Sequence, residues 1–198
     1  MAAKRKAAQK RRTKETDVTV RFTLDGTGTA KVSTGLRFLD HMLELFAVHG
    51  LFDLTLKAAG DLDVDQHHTV EDIGLVLGRA IDEALGDRKG LVRYASLALP
   101  MDECLVQVAL DLGGRSGYVS DLKPRTRTVG AFDTDLVPDF FVAFCSGARL
   151  TLHVTQLRGG NTHHLVEGVF KALGRALDAA TRVDPRRKGV PSSKGRIG

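Results

Sequence analysis

Residues 67–84 read HHTVEDIGLVLGRAIDEA, and residues 163–180 read HHLVEGVFKALGRALDAA. Each segment opens on two histidines and a glutamate: His67, His68 and Glu71, then His163, His164 and Glu167. Imidazole and carboxylate together suit divalent transition ions such as Mn²⁺, Fe²⁺ or Zn²⁺. On a helix, positions four apart share a face, so His67 can close on one ion with Glu71, and His163 with Glu167. His68 and His164 point about 100° away around the axis and must serve something else. A single such phrase could be a helix start with a favourable first-turn glutamate. Packing alone needs no second pair of histidines. Two such units facing each other would make two metal sites, each drawing ligands from both units. More than four nitrogen and oxygen donors per ion would favour an octahedral ion over tetrahedral Zn²⁺.

The ungapped match continues beyond the metal residues. Val70, Leu77, Gly78, Arg79, Ala80, Asp82 and Ala84 recur as Val166, Leu173, Gly174, Arg175, Ala176, Asp178 and Ala180. A repeat of this length implies two copies of one structural unit. In the first copy, 17–24 alternates polar and apolar residues and reads as a strand. Asp25-Gly26 supplies a turn into a short returning strand over 29–33. Residues 38–48 have helical spacing, 51–58 read as a strand, 60–66 as a polar loop and 69–85 as a long amphipathic helix. The second copy repeats the order, with strands at 103–110, 118–122 and 150–155 and helices around 140–145 and over 165–181. The pattern is α+β, an internal duplication in which each half is a small mixed β-sheet with two helices. The helices are the only cover for the apolar sheet faces, so they are expected to pack between the sheets. The expected divisions are a disordered basic arm over 1–12, a first half over 13–98, a second over 99–183 and a tail over 184–198. That tail should be a loop unless a ligand orders it.

The net charge of +5 is unevenly spread. Residues 1–14 carry seven Lys or Arg and no acid, whereas 15–181 hold 16 basic and 23 acidic residues. The basic ends read as solvated segments, because no aromatic residues are interleaved to stack bases, so no nucleic-acid partner is expected. No run of about 18 apolar residues suggests a membrane span. The start lacks the apolar segment of a secretory signal, which points to the cytoplasm. Cys104 and Cys145 sit in apolar runs and read as buried thiols. His153, in LTLHV, reads as structural.

Strings spread along the chain carry a family resemblance. They are TKET (13–16), FLDHML (38–43), HGLFD (49–53), HHTVED (67–72), PMD (100–102), DLGGR (111–115), NTHHLVE (161–167), FKA (170–172) and PSSKG (191–195). With these the sequence resembles imidazoleglycerol-phosphate dehydratases, enzymes of histidine biosynthesis with a ribosomal protein S5 domain 2-like fold. The resemblance implies two Mn²⁺ ions per active site. One would take His41, His68, His163 and Glu167. The other would take His67, Glu71 and His164, plus a family histidine in the helix that here spells PDFF. Asp139 stands at that position and is carried as a ligand, in preference to the distant His153. The resemblance also implies a homo-oligomeric shell of 24 subunits with sites at subunit contacts.

The implied reaction removes water from imidazole glycerol phosphate to give imidazole acetol phosphate. No carbonyl activates the C–H bond that must break, so metals at the ring nitrogens would stabilise an imidazolate that expels the hydroxyl. Glu15, in TKET, is then the candidate base. Its carboxylate and the metal-side residues His41, Glu71 and Glu167 form the expected catalytic set. Glu15 and His49 would contact substrate, and Arg93, Arg115, Lys171, Ser192, Ser193 and Lys194 would hold its phosphate. Paired ions can also activate water, so a metal-dependent phosphoester hydrolase is the competing enzyme reading. A metal store or a nucleic-acid binder is the non-enzymatic one.

Overall fold

Val18, Val20 and Phe22 alternate with Thr19, Arg21 and Thr23, and this period of two builds one apolar face and one wet face. A computed structural model describes residues 4–197. The first half contains β1 (Lys6–Arg12), β2 (Thr16–Thr23), β3 (Ala30–Ser33), α1 (Arg37–Gly50), β4 (Asp53–Gly60) and α2 (His67–Leu85). The second contains β5 (Tyr94–Met101), β6 (Cys104–Asp111), β7 (Gly117–Ser120), β8 (Thr128–Val129), β9 (Phe132–Asp133), α3 (Leu136–Ala148), β10 (Thr151–Arg158) and α4 (Thr162–Thr181). The sheets have matching orders, β1-β2-β4-β3 and β5-β6-β10-β7. In each, the last-named strand pairs in parallel and the others antiparallel. Helices α1 and α2 lie on the first sheet and α3 and α4 on the second. The core joins both, and the helices fill the space between the sheets.

Across the middle, helices pair between halves: α1 packs on α4, and α2 on α3. Glycines of the repeated LGRA phrase allow the approach. A Cβ at Gly78 would overlap the Phe144 carbonyl oxygen, and one at Gly174 the Phe46 carbonyl oxygen. Both obstacles are helix backbone, so neither can rotate away. Gly78→Ala is expected to destabilise the fold by about 1–3 kcal/mol, read as a lower thermal midpoint. An unchanged midpoint would show that the helices can part at no cost.

Four expectations need correction. The basic arm is not disordered from residue 6 onward. Strand β1 pairs with β2 along its whole length. Ala7 is buried, Gln9 donates to Glu83, and Arg11 donates to Asp72 at 2.8 Å, while Lys6, Ala8, Lys10 and Arg12 face outward. Residues 1–3 of that arm lie outside the described residues. Strand β3 does not return against β2, whose two sides are taken by β1 and β4; it crosses to lie parallel to β4. The second sheet starts at Tyr94, so a boundary at 98/99 cuts through β5. The tail has no regular structure, yet the protein itself holds much of it. Asp184 N donates to Gly90 O at 2.8 Å, and Arg93 Nη1 donates to Pro191 O at 2.6 Å.

Candidate metal centre

Both histidine pairs open a long helix. Asn161 caps α4, its side chain accepting from His163 N at 2.8 Å. At the start of α2, Asp65 Oδ1 accepts from Gln66 N and His67 N. The opposed helix pairs then bring a third residue to each. From α1, His41 Nε2 lies 3.6 Å from Glu167 Oε2, and His163 Nε2 lies 3.1 Å from the same oxygen. Ligand atoms of His41, His163 and Glu167 all fall within 4.8 Å of one another. From α3, Asp139 Oδ2 lies 3.2 Å from His67 Nδ1, while Glu71 Oε2 lies 3.7 Å from His67 Nε2. His41 and Asp139 each stand ten residues before the left-handed C-cap of their helix, Leu51 or Arg149. They are therefore equivalent under the repeat. His153 lies on the outward side of β10, away from both groups.

The two groups are unequal in detail. His41, His163 and Glu167 converge on one point. Asp139 instead takes the opposite ring nitrogen from the one facing Glu71. A carboxylate on a one-carbon stem reaches less far than imidazole Nε2, which accounts for the difference. His68 and His164, the remaining expected ligands, belong to neither group. His68 Nδ1 lies 3.1 Å from Asp61 Oδ2, and His164 Nδ1 lies 3.0 Å from Glu103 Oε2. Each of these two histidines instead meets a carboxylate at Nδ1.

Local charge suits cation binding. Burial pushes the Glu167 carboxyl up, but the hydrogen bond and charge of Lys171, with His163, bring it net below its ordinary value. Glu167 is therefore held as an anion. Asp61 raises His68, and Glu103 raises His164. Glu103 itself is held down to about 2 by the Asn161 N–H and by His164. Burial and then Lys171 and Arg175 push His49 down. The thiols Cys104 and Cys145 are buried and stand outside both groups.

The expected phosphate residues divide. Arg93, Arg115, Ser192, Ser193 and Lys194 line one cavity of about 630 Å³ together with the tail. Arg93 is held by both oxygens of Asp111, at 2.7 and 3.0 Å. Lys171 does not line that cavity; it pairs with Glu167 beside the metal group. Glu15 sits at the tip of the β1–β2 turn. Thr13 Oγ1 accepts from Glu15 N at 3.1 Å and Thr16 N at 2.9 Å, and Asp61 N donates to Glu15 O at 3.1 Å. Sequence reasoning passed over Asp61 and Glu103. The available signals were the acidic loop GDLDVDQ before His68 and the acid directly after the PMD string.

A family model for imidazoleglycerol-phosphate dehydratase matches residues 34–177. A relative of that name from Syntrophobacter fumaroxidans is 55% identical over 197 residues, covering 100% of both chains. Another, from Prochlorococcus marinus, is 49% identical over 198 residues, covering 100% of this chain and 98% of the relative. A crystal structure of the Staphylococcus aureus dehydratase superposes with a TM-score of 0.82 at 38% identity, covering 90% of this chain and 99% of that one. A crystal structure of the Pyrococcus furiosus protein, titled IGPD, gives 0.83 at 35% identity, covering 96% of this chain and 100% of that one. The repeated histidine helices and the doubled sheet belong to a known hydro-lyase: this chain is a member of the imidazoleglycerol-phosphate dehydratase family.

Proposed function

We propose that this chain dehydrates imidazole glycerol phosphate with two Mn²⁺ ions per active site, in sites assembled between copies of itself in the cytoplasm. The donor chemistry fits the ions: imidazole and carboxylate groups with no thiolate among them. His41, His163 and Glu167 would hold one ion together with His68 of another copy. His67 and Glu71 would hold the second together with His164 of another copy. When bound, the ions supply Lewis acidity that stabilises negative charge on the substrate ring.

The residues of the chain supply the rest. Glu15 takes the proton from carbon, since its carboxylate lies on an exposed turn. Glu71 and Glu167 are worse bases, being committed to the ions. Arg115, Ser192, Ser193 and Lys194 grip the phosphate, and Asp111 orients the Arg93 guanidinium beside them. The tail lines that cavity, and closing it over bound substrate would exclude water.

One observation carries assembly between copies. The phosphate cavity lies beside the C-terminal end of α4, where Arg93 N donates to Ala180 O. His163 and Glu167 sit at the other end. At about 1.5 Å per residue, His163 and Ala180 are roughly 25 Å apart. A small phosphate ester cannot span that distance within one chain. An assembly as large as 24 subunits is part of the proposal.

The direct test is the reaction. Purified protein loaded with Mn²⁺ should convert imidazole glycerol phosphate to a ketone without releasing inorganic phosphate. Fully loaded protein that forms no ketone would refute the proposal, and phosphate release would mark a hydrolase.

A further inference from the structure

Three carboxylates lie against the Nδ1 of three different histidines, two of them in hydrogen bonds. Asp61 reaches His68 Nδ1 at 3.1 Å, Glu103 reaches His164 Nδ1 at 3.0 Å, and Asp139 reaches His67 Nδ1 at 3.2 Å. The sequence repeat does not generate this likeness. Asp61 is in the loop before α2, Glu103 is in the β5–β6 turn, and Asp139 is on α3. The position equivalent to Asp61 before His164 is Leu157. A carboxylate therefore approaches Nδ1 from three unrelated parts of the chain.

A carboxylate at Nδ1 fixes the imidazole proton there. The lone pair is then on Nε2, on the far side of the ring, and the ring cannot turn without breaking the hydrogen bond. These are three of the histidines assigned above to the two ions. We infer that Asp61, Glu103 and Asp139 are positioning residues that hold His68, His164 and His67 as Nε2 donors. This rests on the two-ion reading. It also assigns Asp139 a task other than ligation: it orients His67 from behind, and Glu71 meets the ion in front.

Glu103 has a second bond that sharpens the test. Its Oε1 accepts from Asn161 N, the residue that caps α4. An amide at this position must turn its oxygen to Asn161 N–H and its NH₂ to His164. The imidazole must then accept at Nδ1 and carry its proton on Nε2, where it cannot bind metal. At Asp61 no second hydrogen bond constrains the carboxylate side chain among the described residues, so an asparagine oxygen can still accept from His68.

The experiment is calorimetric titration of the metal-free full chain with Mn²⁺, with metal-free thermal unfolding measured alongside. Wild type should take up two ions per chain. Asp61→Ala should weaken one class of site by about 10–100-fold, and Glu103→Gln the other class by a similar factor. Asp61→Asn should restore most of the lost affinity. Asp139→Ala should weaken the same class as Glu103→Gln, while Asp139→Asn, whose oxygen still accepts from Nδ1–H, should stay near wild type. Equal, large losses for Asp139→Asn and Asp139→Ala would mark a ligand and overturn the assignment of that residue. Variants titrating like a two-ion wild type would overturn the inference and leave the two-ion reading intact. A wild type that binds no Mn²⁺ would remove both. Weakened binding at both classes with a lowered metal-free unfolding midpoint would show a structural role instead.

Discussion

Glu15→Gln is expected to lower kcat by about 10²–10⁴-fold, the usual contribution of a positioned general base. Mn²⁺ uptake and thermal stability should not change. Glutamine keeps the size of the side chain, and the turn is held by groups other than the carboxylate. Thr13 Oγ1 accepts from two backbone amides of the turn. Thr16 Oγ1 donates to the buried Asp72, which also accepts from Arg11. Asp72 belongs to α2, the helix that carries His67 and Glu71. The proposed base therefore sits on a short turn fixed to the helix proposed to hold metal, which is the rigidity that proton transfer to a defined atom requires. Steady-state kinetics and a parallel Mn²⁺ titration separate the effects. A variant that keeps more than about a tenth of wild-type kcat would move the proton transfer to another residue.

Two inactive variants are expected to rescue each other. His68→Ala chains keep His41, His163 and Glu167 but offer no fourth ligand to a neighbour. His163→Ala chains offer that ligand but have a broken group. Each alone should fall to background. When the two are unfolded and reassembled together at equal amounts, random pairing makes about a quarter of the sites whole. The recovered activity should approach that share of wild type. Within one chain His68 meets Asp61 rather than the His41, His163 and Glu167 group, and the length of α4 separates His163 from the proposed phosphate cavity. No recovery from particles shown to contain both chains would place every ligand set within a single chain.

The sequence made the histidine helices legible because they repeat, and a repeat shows periodicity and chemistry at once. It concealed β1 because that strand's inward side is made of Ala7, Gln9 and Arg11. Two of those three are satisfied by hydrogen bonds to α2 rather than by burial, so the usual apolar alternation is absent. Strand β5 was hidden by the small outward Ser96 and Ala98 and by Pro100, which is tolerated because β5 is the first strand of its sheet and pairs, among the described residues, only with β6. The parallel partner of β3 could not be read, because alternation gives a strand's faces but not its neighbour. Asp61 and Glu103 went unnoticed for a related reason. One lies 7 residues from its histidine and the other 61, so no fixed spacing links them to a motif.

The charged start of the chain forms the outer strand of the first sheet. Only one side of β1 is hydrogen-bonded, and the opposite margin is free among the described residues. Lys6, Lys10 and Arg12 project on the wet face beside that margin, where like charge would repel a strand arriving from another molecule. Trimming the first twelve residues as a dispensable leader would bare the backbone of β2 along Val18–Phe22, a β-branched and aromatic stretch. The shortened protein would then carry an uncapped sheet margin able to recruit its own kind into aggregates.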